Sequence, residues 1–411
     1  MLVLIYKMYI YSHKLIHLYI LSLSTCSYQR IQIFIQRYYI FKIVNQVYNI
    51  VIINICILGD THFGMRNSSI KFLDYSEKFY KENFFPYLIK NNIKTIIQLG
   101  DFFDVRTHIN FLTLQRTKEM FLDKLDDYGI KMIVLAGNHD VVYKTSNKLN
   151  SLRLLLREYN NIQVLDSPGT IYISDDSDKF KYPICIIPWI CQDNQEQCLG
   201  ELKKTNAKIC MGHFEISGFS MYRGMTSEEG INRGLFKHFD MVFSGHYHHR
   251  SHSDNIFYVG TPMEITWQDY DDPRGFHVFD LSNSNLEFIK NPHVMFHRIK
   301  YDDTEETNIS LEEDISKYKD TYVKVVVVNK SDPFKFDSFI DKLNSIGPID
   351  INIVEDFTEL EEAIEKDDID QAEDTMTIID RFVDDIDQDT IDNNRLKSVL
   401  RELYVEAINK E

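Results

Sequence analysis

The segment Thr95-Ile96-Ile97-Gln98-Leu99-Gly100-Asp101-Phe102-Phe103-Asp104 decides the fold: a short β-branched run, then a glycine, then a carboxylate. Such a run, apolar without strict alternation, is the pattern of a strand buried on both faces. The same design recurs along the chain. Ile52–Leu58 leads into Gly59-Asp60-Thr61-His62, and Lys131–Leu135 leads into Gly137-Asn138-His139-Asp140. Lys208–Met211 is followed by Gly212-His213, and Met241–Phe243 by Ser244-Gly245-His246-Tyr247-His248. A sixth run, Pro183–Pro188, shares the strand pattern. Helical stretches over Leu73–Asn91 and Leu112–Tyr128 separate the first three runs. In the second stretch Leu114, Met120, Phe121, Leu125 and Tyr128 recur at roughly helical spacing. The alternation predicts a layered α/β domain. Its later part, 256–289, reads as strands and turns, with Gly260-Thr261-Pro262 and Asp272-Pro273-Arg274-Gly275 as breakers.

In open α/β sheets, ligands gather at the carboxyl ends of strands, where these motifs fall. The glycines let the chain turn sharply, so that the next side chain points into a shared site. Asp60, His62, Asp101, Asn138, His213, His246 and His248 offer carboxylate, imidazole and amide donors without thiolate. That mixture suits divalent ions such as manganese, iron or zinc. Seven donors are too many for one ion and right for two that share a bridging carboxylate. A pair of ions about 3.5–4 Å apart serves the attacking and leaving oxygens of phosphoryl transfer.

These residues resemble the calcineurin-like metallophosphoesterases. Within them they are most similar to the DNA-repair nucleases, the SbcD-type subunits of bacteria and the recombination nuclease subunits of T-even-type phages. Phosphoprotein phosphatases of the superfamily carry an Arg-Gly after the second motif and a Glu closing the third. Here Val105-Arg106-Thr107 follows Asp104, and Asp140 closes the third motif. The segment Tyr258-Val259-Gly260-Thr261-Pro262 also looks like the SbcD pattern. The resemblance implies that Asp60, His62, Asp101 and His248 hold one metal, and that Asp101, Asn138, His213 and His246 hold the other, usually manganese. It makes His139 the catalytic histidine beside the scissile phosphate and Asp104 the carboxylate that orients it. Its alternative in another enzyme class is a phosphatase acting on phosphoprotein or small phosphoesters, and outside enzymes a non-catalytic assembly module.

The expected architecture is α/β, a layered metallophosphoesterase core with a small α+β capping domain and C-terminal helices. Residues 1–52 are read as a leader, 53–298 as the nuclease domain, 299–358 as the capping domain, and 359–411 as an acidic linker with docking helices. The capping unit is predicted as strand Tyr322–Val328, helix Phe334–Ile346 and strand Ile349–Val354, a βαβ-sized module. Beyond the acidic run 359–374, Leu396, Val399, Leu400, Leu403 and Tyr404 form an apolar helical stripe suited to a partner groove. The resemblance names that partner as an SbcC-type coiled-coil ABC ATPase and admits a homodimer.

Charge bears on the substrate. The chain of 411 residues carries a formal −17, but residues 1–50 hold five Lys/Arg and no acids, while 301–411 are at −20. The middle of the chain is nearly neutral and leaves room for a local basic groove. Arg66, Arg106, Arg223 and Arg250, in or near the motif loops, are the expected contacts to DNA phosphates. The six cysteines show no zinc spacing and three sit in apolar runs, as reduced cysteines do. The longest uncharged stretch near the start, Leu15 to Gln29, has 15 residues, whereas a spanning helix needs about 20. The first fifty residues are therefore read as translated upstream sequence, with a signal or anchor and a genuine extra element as the other readings. No membrane association is expected, and the expected location is the cytoplasm of a bacterium or phage-infected cell. Trp189 and Trp267 are read as packing residues.

Overall fold

The computed structural model describes residues 53–174, 181–222, 225–226, 230–304 and 315–355, with 220–222 and 225–226 by main chain alone. The expected leader, Arg223, the acidic run and the C-terminal helices lie outside the described residues. Among those described, no helix is long and apolar enough to cross a membrane.

Two six-stranded sheets carry the core. The first runs in the order Asn285–Lys290, Gly275–Asp280, Asn54–Leu58, Thr95–Gln98, Lys131–Leu135, Ile162–Leu165. Its last four strands are parallel and its first two pair antiparallel. The second runs Ser251–Ser253, Ile256–Tyr258, Met241–Gly245, Ile209–His213, Lys181–Ile187, Gly169–Ser174, parallel through its middle and antiparallel at both edges. All five motif-bearing runs are parallel strands within their sheets, and the loops at their carboxyl ends meet at one rim, where His246 N–H reaches Asp60 and His213 reaches the Leu99 carbonyl. The expectation of strands buried on both faces has a direct cause. Cys56 and Leu58 face a helix-covered core, while Ile55 and Ile57, pointing the other way, are also fully buried. The rings of Phe243 and Phe279, 5.1 Å apart, join the inner faces of the two sheets.

The helix expected from Leu73 runs over Ile70–Phe79 and Phe85–Lys90, and the second over Phe111–Thr117 and Asp123–Asp127. Each is interrupted by one π-helical turn, Tyr80–Phe84 and Lys118–Leu122, which periodicity does not reveal. Both turns feed an aromatic cluster. Phe121 lies within 6 Å of the rings of Phe63, Tyr80, Phe84, Phe85 and Phe102. Four further strands, the hairpin Val141–Tyr143 with Ser146–Asn150 and the edge strands Ile162–Leu165 and Gly169–Ser174, are absent from the sequence reading. They are partly exposed and lack a continuous apolar run. The five cysteines described are buried and unpaired.

The C-terminal part of the described chain is a three-stranded parallel sheet, Phe296–Asp302, Tyr322–Asn329 and Asp350–Val354, with helix Pro333–Ile346 packed on it. Asp332 caps that helix by accepting from the N–H groups of Phe334 and Lys335. The boundary expected after residue 298 falls inside the strand Phe296–Asp302. Phe296 stacks on Tyr322 at 5.5 Å and packs on Trp267 at 4.9 Å, so the small sheet begins as an extension of the core. Trp267 also lies under the buried Lys324 ammonium, 4.6 Å from its ring, a cation–π contact.

The aromatic cluster beneath the first two motifs gives a stability prediction. Replacing Phe121 by Ala should lower the unfolding free energy by about 3–5 kcal/mol, read from the urea midpoint. A loss below about 1 kcal/mol would mean the cluster repacks around the void.

Candidate active site

Main-chain hydrogen bonds lock the first two motif loops to each other. The N–H groups of Thr61 and His62 both donate to the carbonyl of Asp101 at 3.1 Å, and Phe63 N–H donates to Phe102 at 2.9 Å. Buried carboxylates complete the ties. Asp140 accepts from the N–H groups of Phe102, Phe103 and Gly137, joining the third motif to the second. Asp60 accepts from His246 N–H at 2.9 Å, joining the fifth to the first. Asp101 Oδ1 accepts from His139 N–H at 2.8 Å. Two glycines are required by close approach. A Cβ on Gly137 would lie 2.2 Å from Asp101 Oδ1, and one on Gly245 2.4 Å from Asp60 Oδ1.

His62, Asp101 and His246 adopt φ of 43°, 51° and 85°. Left-handed backbone at residues other than glycine costs about 1–3 kcal/mol each and collects at functional sites. Here it turns three of the seven candidate donors into the rim.

The donors converge in two groups. The ligand atoms of Asp60, His62 and His248 lie within 4.8 Å of one another, and so do those of Asp101, His213 and His246. His62 Nε2 is 3.0 Å from His248 Nε2. Asn138 Oδ1 joins the second group, 2.8 Å from His213 Nε2 and 3.0 Å from His246 Nδ1. Asp101 Oδ2 stands between the groups, 3.3 Å from His213 Nε2 and 4.0 Å from His62 Nε2. Oxygen and imidazole donors without thiolate, clustered at this spacing, fit two divalent ions. Asp60, His62, Asp101 and His213 are at most 2% exposed, while His246 and His248 are half-buried.

His139 is brought to the same place. Its ring meets that of His62 edge to face at 5.0 Å. The expectation that the Asp104 carboxylate orients His139 needs correction. His139 Nδ1 faces the main-chain carbonyl of Asp104 at 2.6 Å, and the Asp104 carboxylate instead lies 3.0 Å from His62 Nδ1. Asp104 thus touches both rings, one through its backbone and one through its side chain. The reason is local: Asp104 N–H is tied to Phe63, which aims the side chain at the neighbouring His62.

Arg66 and Arg106 are half-buried beside the first and second motifs. Arg250 stacks on Phe288, its guanidinium 4.0 Å from the ring centre. Trp189, read as packing, forms a wall of the site. Its ring is tilted over His246 at 5.2 Å and meets His213 at 6.0 Å. Its position directly after the strand Lys181–Ile187, like the motifs after their strands, is the signal that could have found it. Asp140 is a tie between loops, held by main-chain N–H groups.

Crowding three carboxylates splits their proton affinities. Burial pushes Asp60 and Asp140 up from the carboxylate range, whereas the charges of His213, His139 and His62 outweigh burial at Asp101 and hold it well below. The imidazoles divide as well. Burial works against charge at His62 and His213, yet Asp104 beside the first and Asp101 beside the second push each to about 9. Burial and neighbouring cationic groups lower His246 and His248. The ion-free site therefore carries one protonated imidazole in each group at neutral pH. Metal binding must expel both protons. Apparent metal affinity should rise about tenfold per pH unit for each ion between about pH 7 and 9, above the titration of Asp60 and below that of His62 and His213, with proton release measured by calorimetry in buffers of different ionisation enthalpy. Affinity independent of pH over that window would contradict the assignment of charge.

Residues 53–250 match the family described as calcineurin-like phosphoesterase. Exonuclease subunit 1 of Enterobacteria phage T4 is 32% identical over 355 residues, which is 85% of this chain and 98% of the phage protein. The DNA double-strand break repair protein Mre11 of Sulfurisphaera tokodaii is 28% identical over 199 residues, 47% of this chain and 48% of its own. The SbcD component of the SbcCD nuclease of Staphylococcus epidermidis is 23% identical over 261 residues, 56% and 66% respectively. With its five motifs gathered on one rim and its likeness to the phage subunit running almost end to end, the chain belongs to the calcineurin-like phosphoesterase family.

Proposed function

We propose that this protein is a two-metal DNA exonuclease and endonuclease, the nuclease subunit of an SbcCD-like complex in recombination, repair or replication. The observation that carries the reading is Asp101, whose carboxylate lies between two donor groups, each the size of one ion's surroundings. Asp60, His62, Asp101 and His248 would hold one ion, and Asp101, Asn138, His213 and His246 the other. Hard oxygens and borderline imidazoles without sulfur suit manganese, iron or zinc, and among these we assign manganese on the resemblance to the SbcD-type nucleases. When bound, the pair supplies Lewis acidity to an in-line displacement at phosphorus.

The chain's own residues do the rest. Buried Asp60 and Asp101 fix the floor, and the tilted Trp189 ring closes one wall against His246. His139 donates from Nδ1 to the Asp104 carbonyl, a tautomer assigned from the 2.6 Å contact, which leaves Nε2 as the nitrogen available to substrate. In the imidazolium form Nε2 carries the proton needed by the departing oxygen. Burial lowers the His139 pKa, while Asp101 and Asp104 favour the cation. A phosphodiester arriving beside the ring adds negative charge on the favourable side. The Asp104 carboxylate orients His62 on this reading, and its carbonyl orients His139. Arg66 and Arg106, which follow the first and second motifs in sequence, are assigned as phosphate contacts, with Arg250 held against Phe288.

The relatives are named as an exonuclease subunit, a break-repair protein and a nuclease subunit. These names favour DNA over phosphoprotein and leave the phosphatase alternative less supported. The name of the staphylococcal relative, one component of SbcCD, supports a larger assembly. On that basis we assign the apolar stripe Leu396, Val399, Leu400, Leu403 and Tyr404 to docking on a coiled-coil ABC ATPase.

The test is manganese-dependent cleavage of end-labelled single- and double-stranded DNA, with and without the ATPase partner. The His139→Ala protein should keep its metal and lose about 10²–10⁴-fold in rate. Hydrolysis of phosphomonoesters with no cleavage of DNA would overturn the nuclease reading.

A further inference from the structure

The sequence Asp272-Pro273-Arg274-Gly275 has the composition of a turn, yet Arg274 is 5% exposed. Its guanidinium is spent on the fifth motif and on the loop below it. Nη1 donates to the main-chain carbonyl of His248 and to Thr261 Oγ1 at 3.0 Å. Nη2 pairs with Asp269 at 2.5 Å and with Asp272 at 2.8 Å. Asp272 in turn lies 2.7 Å from His249 Nδ1. Asp269 is itself anchored, accepting from the N–H groups of Ile265 and Thr266. Thr261 N–H is a second donor to the His248 carbonyl, at 3.0 Å. The last residue of the fifth motif and the residue after it are thus gripped from behind, His248 by its peptide and His249 by its ring.

A buried guanidinium with two buried carboxylates is expensive to desolvate, and hydrophobic residues of similar volume often serve stability as well. Its use here is geometric. Holding the His248 carbonyl fixes the peptide plane from which the imidazole projects, and His248 Nε2 is set 3.0 Å from His62 Nε2. His246 belongs to the other donor group, and its N–H is held by Asp60, outside this network.

We propose that Arg274 is a positioning residue that aligns His248, and through it only one of the two metal sites, with Asp272 as its support. The proposal rests on His248 being a metal ligand, as read above. Lysine cannot replace arginine here. A single ammonium cannot reach the carbonyl, the hydroxyl and both carboxylates in one plane. Loss of such outer contacts weakens metal binding about 10–100-fold.

The experiment titrates manganese into the full metal-free chain by calorimetry, comparing wild type, Arg274→Lys, Asp272→Asn and His248→Ala, each with a thermal melt and circular dichroism. Wild type should take two ions. Arg274→Lys should weaken one of them about 10–100-fold and leave the other unchanged, and Asp272→Asn should weaken the same one by less. His248→Ala should abolish that one. If Arg274→Lys does not fold, Asp272→Asn alone decides, because it is isosteric and removes one charge. Two ions bound at wild-type affinity by the folded Arg274 or Asp272 variant, while His248→Ala loses one, would overturn the positioning role and leave the site intact. Equal weakening of both ions would also overturn it, since a general structural defect predicts that result. Two ions retained by His248→Ala would instead overturn the site reading beneath it.

Discussion

One residue, Asp101, meets three of the other four motifs. Its carbonyl accepts from Thr61 and His62, its Oδ1 from His139, and its Oδ2 lies 3.3 Å from His213. It does so in left-handed backbone, which glycine would adopt more easily. Gly100 before it and Gly137 opposite it leave room for this, the second because any side chain would collide with the carboxylate. The parallel strands of the core are the device that delivers five loops to this carboxylate. The two π turns and the aromatic cluster beneath them hold the first two loops from below.

The arrangement is electrostatically costly without cations. Asp60, Asp101 and Asp140 are buried close together, and buried charge of one sign is offset only by partners or by protons. The structure uses both. Main-chain N–H groups surround Asp140, histidines surround Asp101, and burial, with a smaller contribution from the Asp101 charge, raises the proton affinities of Asp60 and Asp140 and leaves part of the cost in place. Divalent ions would relieve it, so ion binding and stability are coupled in this site.

The parts of this design that are local in sequence were legible in it. A buried strand, a glycine and a ligand type recur within ten residues, and the strands and helices around them follow the expected spans to within a few residues. The parts that depend on distance in space were not. Asp104 meets His139 through its carbonyl and His62 through its carboxylate, with its N–H tied across the loops to Phe63, and no spacing encodes that. Trp189 carries no ligand atom, so donor chemistry alone does not single it out. Arg274 sits in a tetrapeptide whose composition signals an exposed turn, and only the packed loop 261–272 buries it. The π turns add one residue to helices whose apolar spacing stays nearly regular. Residues such as Leu396 and Tyr404 lie outside the described residues.

The central claim is that one carboxylate serves two ions. Manganese stoichiometry of the Asp101→Ala protein, measured by equilibrium dialysis with metal analysis beside the Asp60→Ala protein, tests it most directly. Loss of Asp101 should remove tight binding of both ions, whereas loss of Asp60 should remove one. Retention of one tightly bound ion by the folded Asp101→Ala protein would contradict it.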